Sequence, residues 1–190
     1  MAFLMPPLPS PAADSTVLSE LCQRLVPGGI PKTVKVDAPP WAKPLECVPN
    51  IEKVIALHGG DIVYGWNLIE SLKGVMIEAE FHALWISDEG LLLDVTPKQI
   101  PAMDPVTVFL SDPELSYEGQ QIDNVRVALR DDQLIHSYIR TAEARFEAWN
   151  RGDLAQYHGD MRGRITPEMQ RIEERLARFQ ERIMQKYYGS

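Results

Sequence analysis

Between residues 61 and 95 the hydrophobic pattern falls into three strand-like runs, the middle one alternating apolar and polar side chains roughly every second residue. Ile62 to Ile69 is a β-branched and aromatic run. From Val75 to Ile86, one side carries Ile77, Ala79, Phe81, Ala83 and Trp85, and the other Met76, Glu78, Glu80, His82 and Leu84. Leu91 to Val95 is a third, shorter apolar run, and Ser87-Asp88-Glu89-Gly90 supplies a turn before it. The last two runs therefore read as an antiparallel hairpin. If residue 86 pairs with 90, then 82 stands opposite 94, with both side chains on one face. Val106–Leu110 and Val125–Leu129 are further strand-like segments.

Elsewhere the spacing turns helical. Ser15 or Thr16 can cap a helix through about Val26, whose apolar face is Val17, Leu18, Leu21, Cys22 and Leu25, with Gly28 and Gly29 to end it. Ile51, Val54, Ile55 and Leu57 predict a helix over about 49–58, stopped by Gly59-Gly60. A helix is expected from about Asp132 to Asn150. Another begins at Thr166-Pro167-Glu168, with Thr as cap and Pro in the first turn, and runs to about Tyr188. Its stripe of Met169, Ile172, Leu176, Phe179, Ile183 and Met184 must pack on the domain or on a second chain. Residues 1–14, rich in Pro and Ala, read as a flexible arm. Residues 31–46, with prolines at 31, 39, 40 and 44, read as an irregular approach to Cys47.

The pattern as a whole is α+β. A small antiparallel sheet carries a helix led by Cys47 across it (core, 15–131), followed by a C-terminal helical extension (132–190) packed on the core or on a partner. The 190 residues, 45% hydrophobic and 24% charged, suffice for a real core. A net charge of −8 opposes a general nucleic-acid binder, and the Arg residues of the C-terminal third are interleaved with Glu. No run of about 18 apolar residues suggests a membrane span. The first residues lack the pattern of a signal peptide. Cys22 and Cys47 are the only cysteines, too few for a disulfide framework, so a reducing, cytoplasmic setting is expected.

The chemistry concentrates in residues 47–94. A nucleophilic cysteine is helped by a helix N-terminus, whose free N–H groups favour the thiolate. It also needs a histidine base, best held by a carboxylate on the other ring nitrogen. Cys47 lies just ahead of the helix expected at 49–58, and His82 and Asp94 face each other in the hairpin.

This order resembles the transglutaminase-like branch of the papain-like cysteine enzymes. The matching text is Cys47 ahead of its helix, Gly59-Gly60, the strand at 62–66, Glu80-Phe81-His82-Ala83-Leu84-Trp85, and Leu91–Asp94-Val95-Thr96-Pro97. The resemblance spans residues 47–97 and implies a Cys47–His82–Asp94 triad acting without a cofactor on an amide or ester. It implies hydrolysis, deamidation or acyl transfer on a small-molecule or peptide amide. Val48 follows Cys47 where that family usually has an aromatic residue, and no glutamine lies between residues 24 and 98. An oxyanion hole would thus combine the Cys47 N–H with a second donor such as Asn50, Asn67 or the indole of Trp41. Tyr64, Trp66 and Glu80 are further candidates to line the substrate site.

Two other readings stand beside it. Glu78, Glu80, His82 and Asp94 offer an oxygen-and-nitrogen ligand set for a metal. Alternatively, the chain is a non-catalytic interaction protein, or a homo-oligomer, that works through its C-terminal helices.

Overall fold

A computed structural model describes residues 10–12, 15–98, 106–156 and 163–189. In chain order the elements are β1 (Ser10–Pro11), α1 (Thr16–Leu25), β2 (Lys32–Lys35), α2 (Cys47–His58), β3 (Asp61–Leu72), β4 (Met76–Ile86), β5 (Leu92–Leu93), β6 (Val106–Ser111), β7 (Val125–Ala128), α3 (Gln133–Trp149), a 3-10 turn (Gly152–Gln156) and α4 (Pro167–Tyr188). The chain is α+β.

The long hairpin β3–β4 is the spine, paired from Asp61 opposite Ile86 down to Ile69 opposite Glu78. The strand order is β2-β6-β3-β4-β5, with β1 added to β3 and β7 to β4. The two ends of this path meet. Asp94 donates its N–H to the Lys35 carbonyl (3.0 Å), and its carbonyl accepts from the Asp37 N–H (2.8 Å), a parallel bridge between Val36 and Asp94. The sheet thus curls round on itself, and Val34, Leu84 and Phe109, joined by Val63 and Leu92, fill its inner face.

The outer face of β4 is the apolar row read from the alternation. α1 covers Trp66, Leu68, Ile77 and Ala79. α2 lays Val48, Ile51 and Val54 on Ala83, with Phe81 and Trp85 at the margins. Each such aliphatic side chain contributes about 1.5–3 kcal/mol on full burial. The indole N–H of Trp85 donates to the Gly59 carbonyl (2.9 Å), pinning the C-terminus of α2 to β4. Gly60, at φ 87°, has the Ile86 carbonyl 2.3 Å from where a Cβ would sit, so no other residue fits this turn.

The C-terminal helices pack on the turn end of the hairpin, where Ile135, Ile139 and Ile183 meet Leu72, Val75 and Met76. Met169, Ile183 and Met184 of the α4 stripe are buried within the chain itself. Thr166 caps α4 by accepting from the Met169 N–H (3.2 Å), and Ser15 caps α1 by accepting from the Leu18 N–H (3.1 Å). Among the described residues no helix is long and apolar enough to cross a membrane.

Four local expectations are corrected. First, residues 31–46 are not wholly irregular. Lys32–Lys35 forms an edge strand on β6, with Val34 buried and its neighbours exposed, a charged edge that hides the strand signal. Second, the arm at 1–14 lies largely outside the described residues, but Ser10–Pro11 pairs with β3 and the Ala12 N–H donates to the Leu68 carbonyl (3.0 Å). Third, α2 begins at Cys47 and not at Pro49. Proline is tolerated throughout a first turn, because its missing N–H has no helical partner there.

Fourth, the hairpin register differs. Ile86 pairs with Leu92, not with Gly90, and the turn is closed by the Ser87 N–H on the Leu91 carbonyl (2.9 Å). Gly90, at φ 85°, must take the left-handed position that ends a three-residue loop, and this moves the pairing by two residues. A shift of two preserves the face of every side chain.

Candidate active site

His82 and Asp94 are not directly opposite each other, yet they meet on the inner face. With the register moved by two, Asp94 falls diagonally from His82, within reach for long side chains. His82 Nε2 lies 3.0 Å from Asp94 Oδ2, with Asp94 fully buried and the His82 side chain 13% exposed. Burial alone pushes the His82 pKa down. The Asp94 carboxylate overrides it, together with hydrogen bonding and charge from the Cys47 side chain, and carries the imidazole up to about 9. Burial likewise pushes Asp94 up, but His82, Lys98 and Thr107 hold it down at about 2.

Asp94 is the hub of the site. Oδ1 accepts from the Thr96 N–H (3.0 Å). Oδ2 accepts from His82, from Thr107 Oγ1 (2.5 Å) and from Lys98 Nζ (3.3 Å). Lys98, its side chain only 16% exposed, also donates to Thr107 Oγ1 (2.5 Å). Sequence pattern singles out neither Lys98 nor Thr107. Lys98 sits four residues past Asp94 in an irregular segment, and Thr107 arrives from β6, so no local signal flags them.

Cys47 is half-buried at the first position of α2. Its lead-in is unusual. Leu45 holds φ at 66°, a left-handed conformation that is costly for leucine, and its side chain is 78% exposed. Asn50, one turn into α2, holds the lead-in in place. Its Oδ1 accepts from the Lys43 N–H (3.0 Å), and its Nδ2 donates to the Lys43 carbonyl (2.8 Å) and to Thr96 Oγ1 (3.3 Å). The chain Asn50–Thr96–Asp94–His82 therefore ties the first turn of α2 to the imidazole. With Nε2 turned to Asp94, Nδ1 is the ring nitrogen left for Cys47.

The remaining candidates separate. Asn50 is 3% exposed and its amide hydrogens are committed to the lead-in and to Thr96, so it clamps the site and is not free to bind an oxyanion. Trp66 is buried at 6% exposure with its N–H on Asp112 Oδ2 (2.9 Å), which makes it core and not a pocket wall. Trp41 packs at the margin of α2 with Lys53 Nζ 4.1 Å above its ring. Asn67 Nδ2 donates to Glu80 Oε2 (3.3 Å) on the inner face, one row from His82. Burial, then the charge of Glu78, pushes Glu80 upward, partly offset by His82. Tyr64 lies near Cys47 and stacks on Phe81 at 5.9 Å.

One residue of the metal alternative, Glu78, has other partners, Arg126 Nε (3.4 Å) and Asn124 Nδ2 (3.1 Å). Among the described residues no group of three or more His, Cys, Asp or Glu side chains is placed to hold an ion.

Cys47 opens onto a cleft of about 280 Å³ between the start of α2 and the 112–124 loop. Phe81, Val48, Tyr117, Ile122 and Asn124 are among its walls. A search of family models, curated proteins and solved structures finds no match to this chain.

Proposed function

We propose that this protein is a cysteine-nucleophile enzyme acting on an amide or ester, with Cys47 as nucleophile, His82 as general base and acid, and Asp94 as the group that orients His82. The observation that carries this reading is a buried carboxylate held 3.0 Å from an imidazole whose charge is also favoured by the half-buried thiol of Cys47 at a helix start. A structural histidine has no need of both partners. The resemblance of residues 47–97 to the transglutaminase-like enzymes supports the same assignment.

In this mechanism Cys47 passes its thiol proton to His82, and the resulting thiolate attacks the carbonyl carbon. The resulting oxyanion is met by the Cys47 N–H at the α2 terminus, where the helix leaves donors unpaired. His82, protonated, gives its proton to the departing amine or alcohol as the carbon–nitrogen or carbon–oxygen bond breaks, leaving a thioester. Water or an incoming amine then attacks the thioester while His82 takes its proton, and Cys47 is released. Water gives hydrolysis or deamidation, and an amine gives transfer. Asp94 fixes the ring and stabilises the imidazolium.

The test is chemical. Iodoacetamide should modify Cys47 faster than it modifies N-acetylcysteine, and His82→Ala should remove that advantage. Cys47→Ala should abolish turnover of any substrate found while leaving the circular dichroism spectrum unchanged. Labelling of Cys47 no faster than the free thiol would overturn the assignment.

A further inference from the structure

The connection between β6 and β7, residues 112–124, is long for a loop without regular structure, and such loops are commonly functional. It is also firmly built. At its start Asp112 accepts from the Trp66 indole (2.9 Å) and from the Glu114 N–H (3.1 Å). Leu115 and Ile122 pack on the cluster beneath α1. At its end Asn124 donates to Glu78 (3.1 Å). Between these anchors Tyr117 is laid on Phe81, with ring centroids 5.7 Å apart and planes 22° apart, and Phe81 lies on Tyr64 in turn. The loop thus brings an aromatic stack to the mouth of Cys47.

The cleft it forms has a definite chemistry. Apart from the Cys47 thiol, none of its lining residues is ionisable below the range of tyrosine. The charges around it are mostly acidic. Glu46 precedes Cys47 and pairs with Lys43 (3.4 Å), while Glu52 and Asp61 act on Tyr64. Arg126, two residues past Asn124, is occupied by Glu78 and Asp123 (3.4 and 3.0 Å). At about 280 Å³ the cleft accepts one side-chain-sized group and not an extended ligand. Its walls combine the half-buried rings of Phe81 and Tyr117 with the apolar side chains of Leu45, Val48, Pro49 and Ile122, a lining that favours a planar apolar guest.

We propose that the 112–124 loop is the specificity element of the Cys47 site and selects a planar, apolar, uncharged group next to the scissile carbonyl, against carboxylate-bearing analogues. This rests on the assignment of Cys47 as nucleophile, but its test reads selectivity separately from absolute reactivity.

Three alkylating reagents serve as probes: N-phenyliodoacetamide, iodoacetamide and iodoacetate. Each rate at Cys47, read by peptide mapping that separates it from buried Cys22, is divided by the rate of the same reagent with N-acetylcysteine. The phenyl reagent should exceed iodoacetamide by about fivefold to tenfold, the rate counterpart of one aromatic contact. Iodoacetate should fall below iodoacetamide by a similar factor. Tyr117→Ala should erase the phenyl preference and Tyr117→Phe should retain it. Equal normalised rates for the three reagents, or a phenyl preference untouched in Tyr117→Ala, would overturn the proposal, even if iodoacetamide labels Cys47 rapidly. If all three normalised rates lie at or below one but their order holds, the specificity assignment stands and the nucleophile assignment falls.

Discussion

Replacing Asp94 by Asn removes one negative charge from a fully buried position and almost no volume. In the native protein His82 titrates at about 9 against an ordinary 6.5, which corresponds to about 3 kcal/mol favouring the charged imidazole. The carboxylate is the main favourable cause, and burial works against it. In Asp94→Asn the burial and the Cys47 side chain remain and the carboxylate is gone, so the His82 midpoint should fall well below 9. The same pair sets the pH dependence of stability. His82, raised when folded, contributes fully below pH 6.5, and its contribution is lost as pH climbs through about 9. Asp94, depressed when folded, contributes above pH 3.8, and its contribution is lost as pH falls through about 2. These are one interaction seen from two ends and are counted once. The stability gap between native protein and Asp94→Asn should therefore be widest between about pH 4 and 6.5 and should narrow by about 3 kcal/mol toward about pH 9. Histidine-selective NMR titration gives the midpoint, with the His82 signal assigned by its loss in His82→Gln. Urea unfolding at several pH values gives the gap. A midpoint that stays near 9 in Asp94→Asn would refute the electrostatic account of the pair, and a gap independent of pH would refute its linkage to folding.

Two further outcomes follow from neighbouring residues. Lys98→Met removes one of three donors from Asp94 Oδ2 and a like charge near His82, so the His82 midpoint should rise in the same NMR titration, whereas Lys98→Arg should leave it in place; a fall in Lys98→Met would contradict this. Gly65, opposite His82 on β3, has the Leu110 carbonyl 2.2 Å and Phe109 Cζ 2.6 Å from where a Cβ would sit, so Gly65→Ala should destabilise by about 1–3 kcal/mol and lower the thermal midpoint by several degrees in a calorimetric scan.

Much of the fold is legible along the chain. The alternation over 75–86 assigns the α2-facing row of β4, because side chains on that row are apolar without interruption while the opposite row mixes in Glu78, Glu80 and His82. Thr166-Pro167 and Ser15 mark helix starts by chemistry that acts within four residues. The β2 edge strand is not legible, because its flanking lysines point to solvent and leave only Val34 as a buried apolar signal. The hairpin register is not legible either, because the three-residue loop depends on where Gly90 places its positive φ, a choice that alternation alone does not express. The site is insensitive to that difference, since a slip by two keeps His82 and Asp94 on one face.

The sequence by itself determined the α+β class, the strand carrying His82, the helix led by Cys47 and the shared face of His82 and Asp94, all consequences of short-range periodicity and capping. Tertiary structure alone decided the rest. It brought Thr107 from β6 and Lys98 from beyond β5 onto one carboxylate oxygen. It turned Asn50 from a candidate donor into the clamp that ties the start of α2 to Thr96. It also buried Trp66 while leaving Phe81 and Tyr117 at the cleft. The physical reason is the curl of the sheet. The bridge from Val36 to Asp94 joins segments far apart in sequence, and the buried carboxylate it places inside gathers whichever donors the other strands deliver.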